Sequence, residues 1–285
     1  MDVHLVDGTY ELFRYHYGPS NRDPERGATL GVLGSLLQLV ESGATHVGVA
    51  TDHVIESYRN ELWPTYKDGS GVDPELKAQF PLLEEVLEAA GFAVWPQIEF
   101  EADDGLAAGA ALAAAHDDVE KVIICTPDKD MAQLVGGKVW QWDRRQDKWF
   151  DVAGVQEKFG VLPESIPDWL GLVGDSADGF PGLPGWGAKS AAAVLARYLH
   201  IEQIPPAAGQ WDITVRSGAT LAKVLQDHLD EALLFRTLAT LQPDAPVSAS
   251  VDDLAWRGPR DGFDALAREL GAERLAERAN RLADR

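Results

Sequence analysis

Short apolar runs and helically spaced apolar positions alternate through the first half of the chain, and this change of period predicts strands and helices in turn. Residues 3–6, 46–50, 92–95 and 121–125 read as strands. Between them, residues 29–42 place Leu30, Leu33, Leu37 and Val40 on one helical face and stop at Gly43. A helix opening at Asp73-Pro74 carries Leu76, Phe80, Leu83 and Leu87 on its apolar face and stops at Gly91, and an alanine-rich helix covers residues 102–116. This order implies an α/β fold, a mainly parallel sheet flanked by helices. The run 121–125, apolar beyond its first residue, belongs at the sheet centre, because a strand covered on both faces has no polar side. Residues 138–142 and 148–150 read as a terminal pair of strands. Helical patterns prevail from 155 to 240, residues 242–256 read as one more extended segment, and residues 260–285 as a charged amphipathic helical region. A soft boundary near Leu162 divides an α/β part, 1–162, from a mainly helical part, 163–285. Within 58–74, the turn formers of Asp68-Gly-Ser-Gly-Val-Asp73 predict a mobile loop.

Composition adds limits on partners. The chain has 285 residues, 45% of them hydrophobic, enough for a packed core. No run approaches the roughly 18 uninterrupted apolar residues of a membrane span, and Asp2 and His4 stand where a basic leader would begin. The expectation is a cytoplasmic protein with no membrane partner. Cys125 is alone, so no intramolecular disulfide forms, and the scattered histidines give no zinc cluster. With 25 basic against 46 acidic residues the net charge is −21, which sits awkwardly with nucleic-acid binding unless the cations are concentrated.

The acids themselves are clustered. Glu101-Ala-Asp-Asp puts three carboxylates at one helix start, where the dipole offers only about 0.3–1 kcal/mol to each, so the crowding calls for another countercharge. Asp7, Asp52 and the pair Asp128 and Asp130 each follow an apolar run. In an open α/β sheet ligands bind beyond the carboxyl ends of the strands, so these acids are expected to converge on one crevice. Asp175 and Asp178 lie in Gly-Asp-Ser-Ala-Asp-Gly, just ahead of Gly182, Gly185 and Gly187 and a helix over 188–198. Glycines before a helix start, with Lys189 beside them, suit close approach of a phosphate, and they equally suit a tight helix-turn-helix without a ligand.

Taken together, Leu5-Val-Asp-Gly, Asp52, Tyr58-Arg59 with Tyr66-Lys67, Glu101-Ala-Asp-Asp, Asp128-Lys-Asp130 and Gly174-Asp-x-x-Asp-x-x-Pro-Gly resemble the 5′-nuclease family. That family comprises flap endonucleases and the 5′→3′ exonuclease domains of bacterial family-A DNA polymerases, and the resemblance is to a stand-alone member. It implies a PIN-like, flap-endonuclease-like α/β nuclease core with a short arch-like loop near 58–74, followed by a helical DNA-binding region with a helix-hairpin-helix motif. It also implies a metal-dependent nuclease that acts on DNA with a 5′ flap or junction, and on RNA–DNA hybrids, as a monomer.

By the same resemblance Asp7, Asp52, Glu101, Asp103, Asp104, Asp128, Asp130, Asp175 and Asp178 occupy the family's acidic metal-site positions, some as ligands and others through water. Arg59 and Lys67 match phosphate contacts at the reacting centre and Tyr66 a base-stacking position, with Arg14 a further candidate for a phosphate. Gly182, Gly185, Gly187 and Lys189 match the duplex-binding hairpin, which in the family holds a monovalent cation, K⁺. Carboxylate clusters suit Mg²⁺ or Mn²⁺, and two ions roughly 3.5–4 Å apart stabilise both the attacking and leaving oxygens of a phosphodiester.

Two departures stand out: the loop after Lys67 is slightly acidic where relatives are basic, and Trp186 stands where a small aliphatic residue is common, able to stack on DNA or to obstruct it. Arg59, Lys67, Lys129 and Lys189 form the candidate cationic stripe, with Lys129 also placed to pair with its acidic neighbours. A haloacid-dehalogenase-type phosphatase is the competing enzyme class, but Leu5 stands where its nucleophilic Asp belongs. A DNA-structure binder without turnover is the non-enzymatic alternative.

Overall fold

The protein was analysed as a computed structural model, which describes residues 1–19, 21 and 23–284. Contacts divide it into two compact units, one of Met1–Ser57, Asp68–Thr126 and Gln242–Arg285, the other of Tyr58–Lys67 and Pro127–Leu241. These units cut across the 1–162 and 163–285 division: Tyr58–Lys67 and residues 127–162 fall in the second unit, and Gln242–Arg285 falls in the first.

In the first unit four parallel strands, β1 (Asp2–Asp7), β2 (His46–Asp52), β3 (Ala93–Gln97) and β4 (Lys121–Cys125), lie in the order β3-β2-β1-β4. Register pairs Asp7 with Ala50 and Asp52 with Gln97, so both aspartates end their strands at the same edge. Alternation along β2 sends Gly48 and Ala50 toward one face and Val49 and Thr51 toward the other. The first face receives the Ala102–Ala114 helix; Gly48 and Gly109 both abut the Trp95 ring, and a β-carbon at either would collide with it. The second face receives the helix Gly8–His16, whose Gly8 packs on Val49 and Thr51. Leu76, Phe80, Leu83 and Leu87 are all buried, although the chain divides their helix into Pro74–Lys77 and Gln79–Ala89.

Two expectations need correction here. The segment Asp68–Asp73 has defined local structure: Asp68 caps a 3₁₀ turn, Gly69–Gly71, and Asp73 caps the next helix by accepting from Glu75 N at 2.9 Å. Residues 242–256 form no strand; among the described residues they give one bridge, His46 to Ala255, and a 3₁₀ turn, Val251–Leu254. The terminal helical region is two helices, Phe263–Glu269 and Glu273–Ala283, with Arg285 outside the described residues. Arg278 ties the last helix down through Glu41, at 2.8 Å from Nε.

The second unit holds the antiparallel pair β5 (Val139–Asp143) and β6 (Lys148–Phe150), close to the expected strands, and then helices. Its core gathers Leu170, Phe180, Trp186, Leu195, Trp211 and Phe235, with the Phe180 and Phe235 rings stacked at 5.7 Å. The helices Ile166–Val173 and Leu229–Ala239 pack directly on one another.

Candidate metal centre

Each acidic group is built by local backbone chemistry. In the second unit Asp128 Oδ1 accepts from Asp130 N at 2.9 Å, folding Asp-Lys-Asp into a turn that leads into the 3₁₀ turn Asp130–Leu134. Asp175 follows the helix Ile166–Val173, and its Oδ1 accepts from Ala177 N at 3.0 Å while its backbone pairs with Phe180. This loop is possible because Gly174 and Gly182, with φ of +81° and +68°, pass so closely that a β-carbon on either would strike the other strand of the turn. The result brings one oxygen each of Asp130, Asp175 and Asp178 within 4.8 Å of one another.

The three carboxylates crowd one another electrostatically. Asp130 is buried, and its Oδ1 has no hydrogen-bond partner. Burial first, then the like charges of Asp128 and Asp178, push its carboxyl well above the ordinary range. Lys129 pairs with Asp175 Oδ2 and lies 3.9 Å from Asp130 Oδ1. Burial works against its ammonium, yet the neighbouring Asp130 and Asp175 outweigh that and raise its pKa. Lys67 Nζ is 3.1 Å from Asp178 Oδ1. A buried carboxylate oxygen with no hydrogen-bond donor, beside protein cations, is compatible with an all-oxygen divalent-ion site, and two lysines supply the local countercharge.

In the first unit, Asp7 Oδ1 caps the Gly8–His16 helix through Tyr10 N at 2.8 Å, while Oδ2 accepts from Thr126 Oγ1 at 3.0 Å. Asp52 Oδ1 accepts from Ala102 N at 2.7 Å, and Glu101 Oε1 from Ser57 Oγ at 2.7 Å. Asp7, Asp52 and the Glu101 helix start are therefore gathered at the carboxyl edge of β1 and β2. Asp103 lies half-exposed in the first helical turn. Asp104 is fully buried; one oxygen accepts from Glu101 N at 3.0 Å as half of the helix's capping box, and the other accepts from Gln242 N at 2.8 Å. The hydroxyls of Ser57 and Thr126 escaped the sequence reading; their only signal was a position just before a helix or just after a strand.

The cations and aromatic rings divide similarly. Arg59, expected at a phosphate, is 1% exposed and donates from Nε to Leu238 O at 2.8 Å and from Nη2 to Thr240 O at 3.1 Å, satisfying carbonyls at a helix end. Tyr66, expected to stack on a base, is buried in the second unit's core. Arg14 pairs with Glu11 and lies over the Tyr15 ring at 4.2 Å. Trp186 neither stacks outward nor obstructs a surface: it is buried and donates to Leu221 O at 3.2 Å.

Gly187 caps the Ala188–Tyr198 helix, with its N–H donating to Ser190 Oγ at 3.0 Å. Gly185, Gly187, Lys189 and Ser190 line an open cavity of 610 Å³, together with Arg216 and Ser217 from a loop that the sequence reading passed over.

A family profile described as the 5′-3′ exonuclease N-terminal resolvase-like domain matches residues 2–160, and its C-terminal SAM-fold partner matches 161–262. The chain belongs to the 5′-3′ exonuclease family. A flap endonuclease Xni of Yersinia enterocolitica is 34% identical over 89% of this chain and 98% of its own length. DNA polymerase I of Bacillus caldotenax is 33% identical over 96% of this chain, which spans 32% of that relative. The same fold occurs in T5 5′-exonuclease with bound divalent zinc ions, at 21% identity, 98% and 100% coverage and a TM-score of 0.68. It occurs also in the catalytic core of Rad2 in complex with DNA substrate, at 17% identity, 98% and 91% coverage and a TM-score of 0.65. Membership in this family excludes the phosphatase class weighed above. No helix among the described residues is long and apolar enough to cross a membrane.

Proposed function

We infer that this chain is a divalent-metal-dependent, structure-selective 5′ nuclease that hydrolyses DNA as a 5′-flap endonuclease and 5′→3′ exonuclease. The triplet Asp130, Asp175 and Asp178, with its unpartnered buried oxygen, is the observation that carries the reading. An all-carboxylate donor set suits Mg²⁺ or Mn²⁺. Such ions, when bound, supply Lewis-acid stabilisation of the phosphodiester and lower the pKa of the attacking water. Asp130, Asp175 and Asp178 would hold them in position; Asp7, Asp52, Glu101, Asp103 and Asp128 are proposed as further coordinating carboxylates, directly or through water. Lys67, poised at Asp178, is the group proposed to meet the reacting phosphate. The products carry 5′ phosphates.

The proposed substrate is DNA with a 5′ flap or junction, with RNA–DNA hybrids as a second substrate, bound by a cytoplasmic monomer. Lys189 and the turn containing Gly182, Gly185 and Gly187 are proposed to hold the duplex, helped by K⁺ at backbone carbonyls. Lys189→Ala should therefore weaken duplex binding more than single-turnover cleavage, and Lys67→Ala should do the reverse. Affinity equal in KCl and in a larger monovalent cation at matched ionic strength removes K⁺ from this scheme.

End-labelled 5′-flap oligonucleotides test the whole reading. Cleavage should cease with EDTA, return with Mg²⁺ or Mn²⁺, and fall by orders of magnitude in Asp175→Asn. Degradation from 3′ ends alone, or full activity in that variant, overturns it.

A further inference from the structure

The helix Gln79–Ala89 turns Phe80, Leu83 and Leu87 inward, and Glu84 stands in the middle of that apolar face. It lies one turn past Phe80, so helix geometry buries it with its neighbours, and it is 7% exposed. An unpaired carboxylate there would be costly, and an apolar side chain of similar size would fill the place without that cost. The end of β2 supplies the compensation. Thr51 Oγ1 donates to Glu84 Oε1 at 2.8 Å, and His53 Nδ1 lies 2.7 Å from Oε2. Thr51 and His53 are the two residues that flank Asp52, and the pleat puts neighbours on opposite faces. The Asp52 carboxylate, on the other face, accepts from Ala102 N at 2.7 Å, while its backbone N–H donates to Thr9 Oγ1 at 2.8 Å.

A carboxylate that only fastens a helix to a sheet needs one such bond. Glu84 instead gives one oxygen to each neighbour of Asp52. We propose that Glu84 is a positioning residue for Asp52: by holding Thr51 on one side and His53 on the other, it fixes the end of β2 where the strand gives way to a bend, and so sets the direction in which the Asp52 carboxylate meets a divalent ion. Groups behind metal-binding side chains act in this way, restricting the orientation of a ligand without touching the ion. All the residues concerned, Thr9, Thr51, Asp52, His53, Glu84 and Ala102, belong to the first unit. The inference rests on the reading of Asp52 as a coordinating carboxylate, and adds to it a residue from a helix whose sequence pattern reads only as packing.

The test uses the full chain and reads Mn²⁺ affinity by electron paramagnetic resonance in the absence of DNA, with Asp52→Asn as the reference that marks the binding dependent on Asp52. Glu84→Leu fills the helix face and removes both bonds, and it should weaken that same Mn²⁺ binding by roughly 10- to 100-fold. Glu84→Gln keeps an oxygen for Thr51 and a nitrogen for His53, and should recover most of the affinity. In single-turnover cleavage of a 5′ flap, the loss in Glu84→Leu should be largest at limiting Mn²⁺ and recede at saturating Mn²⁺, with flap affinity unchanged. A shifted melting midpoint with unaltered Mn²⁺ affinity, measured well below that midpoint, assigns Glu84 to packing alone and overturns the proposal. So does a loss in Glu84→Gln as large as in Glu84→Leu. Unaltered Mn²⁺ affinity in Asp52→Asn refutes Asp52 as a ligand and the proposal with it, whereas a loss there but none in Glu84→Leu overturns the proposal alone. Flap cleavage by the unaltered chain is scored separately: its absence, with both Mn²⁺ losses present, refutes the nuclease reading and leaves the positioning role standing.

Discussion

Arg59→Met separates a structural arginine from a reacting-centre one. The substitution keeps most of the aliphatic stem and removes a guanidinium that is 1% exposed and bonded to Leu238 O and Thr240 O at 2.8 and 3.1 Å. Each charged hydrogen bond contributes about 1.5–3 kcal/mol, and carbonyls stranded at a helix end keep their desolvation cost. The ring contact with Tyr58 at 4.7 Å is lost as well. The two bonds together give about 3–5 kcal/mol, and we take that range here. At roughly 2–4 °C per kcal/mol for chains of about this size, the melting midpoint should fall by about 6–20 °C. Circular dichroism gives the midpoint, and single-turnover cleavage of a saturating 5′ flap, measured well below it, gives the chemistry. The rate should stay within about threefold of the unaltered chain, less than 1 kcal/mol of barrier. An unchanged midpoint with a rate loss beyond about a hundredfold would falsify the anchor role and return Arg59 to the reacting phosphate.

Three further outcomes follow from the packing and the charges. Trp186→Ala should cost about 3–5 kcal/mol in urea unfolding by leaving a cavity in the second unit's core, and a stable variant with selective loss of duplex binding would contradict its burial. Gly182→Ala should be severely destabilising, because its φ is +68° and the added carbon meets the Gly174 backbone. Gly187→Ala, with nothing within 4 Å of the new carbon, should shift stability by no more than about 1 kcal/mol; equal melting midpoints for these two variants contradict the turn geometry. Asp130→Asn should raise the metal-free melting midpoint, since burial and the charges of Asp128 and Asp178 already oppose its ionisation, and should abolish the rise produced by Mn²⁺. A lower metal-free midpoint together with a preserved Mn²⁺ response contradicts this account.

The strands were legible in the chain because their signal is local. The apolar run at 121–125 coincides with β4, and the pair 148–150 with β6, since a buried or half-buried strand writes its exposure into consecutive side chains. Asp130, Asp175 and Asp178 were legible as acids that could cluster because each sits in a turn beside glycine, proline or a strand end, where side chains are released from the core. The helix Gly8–His16 was not legible: it opens with Gly-Thr-Tyr, and its cap, Asp7, also reads as a candidate ligand. Residues 242–256 have the composition of an extended segment, but a strand needs a neighbour with free backbone groups along its length, and among the described residues this segment makes one antiparallel bridge, Ala255 to His46.

The deepest corrections concern direction. Arg59, Tyr66, Asp104 and Trp186 carry chemistry that suits a site, and sequence reports that chemistry whichever way the side chain points. Tertiary packing turned all four inward, where the carbonyls of Leu238 and Thr240, the aromatic core and the amides of Glu101 and Gln242 meet them. It left the Asp130 Oδ1 without a hydrogen-bond donor. Residue type therefore determined which groups were available for function, and only the competition among distant segments for hydrogen bonds and buried area decided which of them the fold consumed.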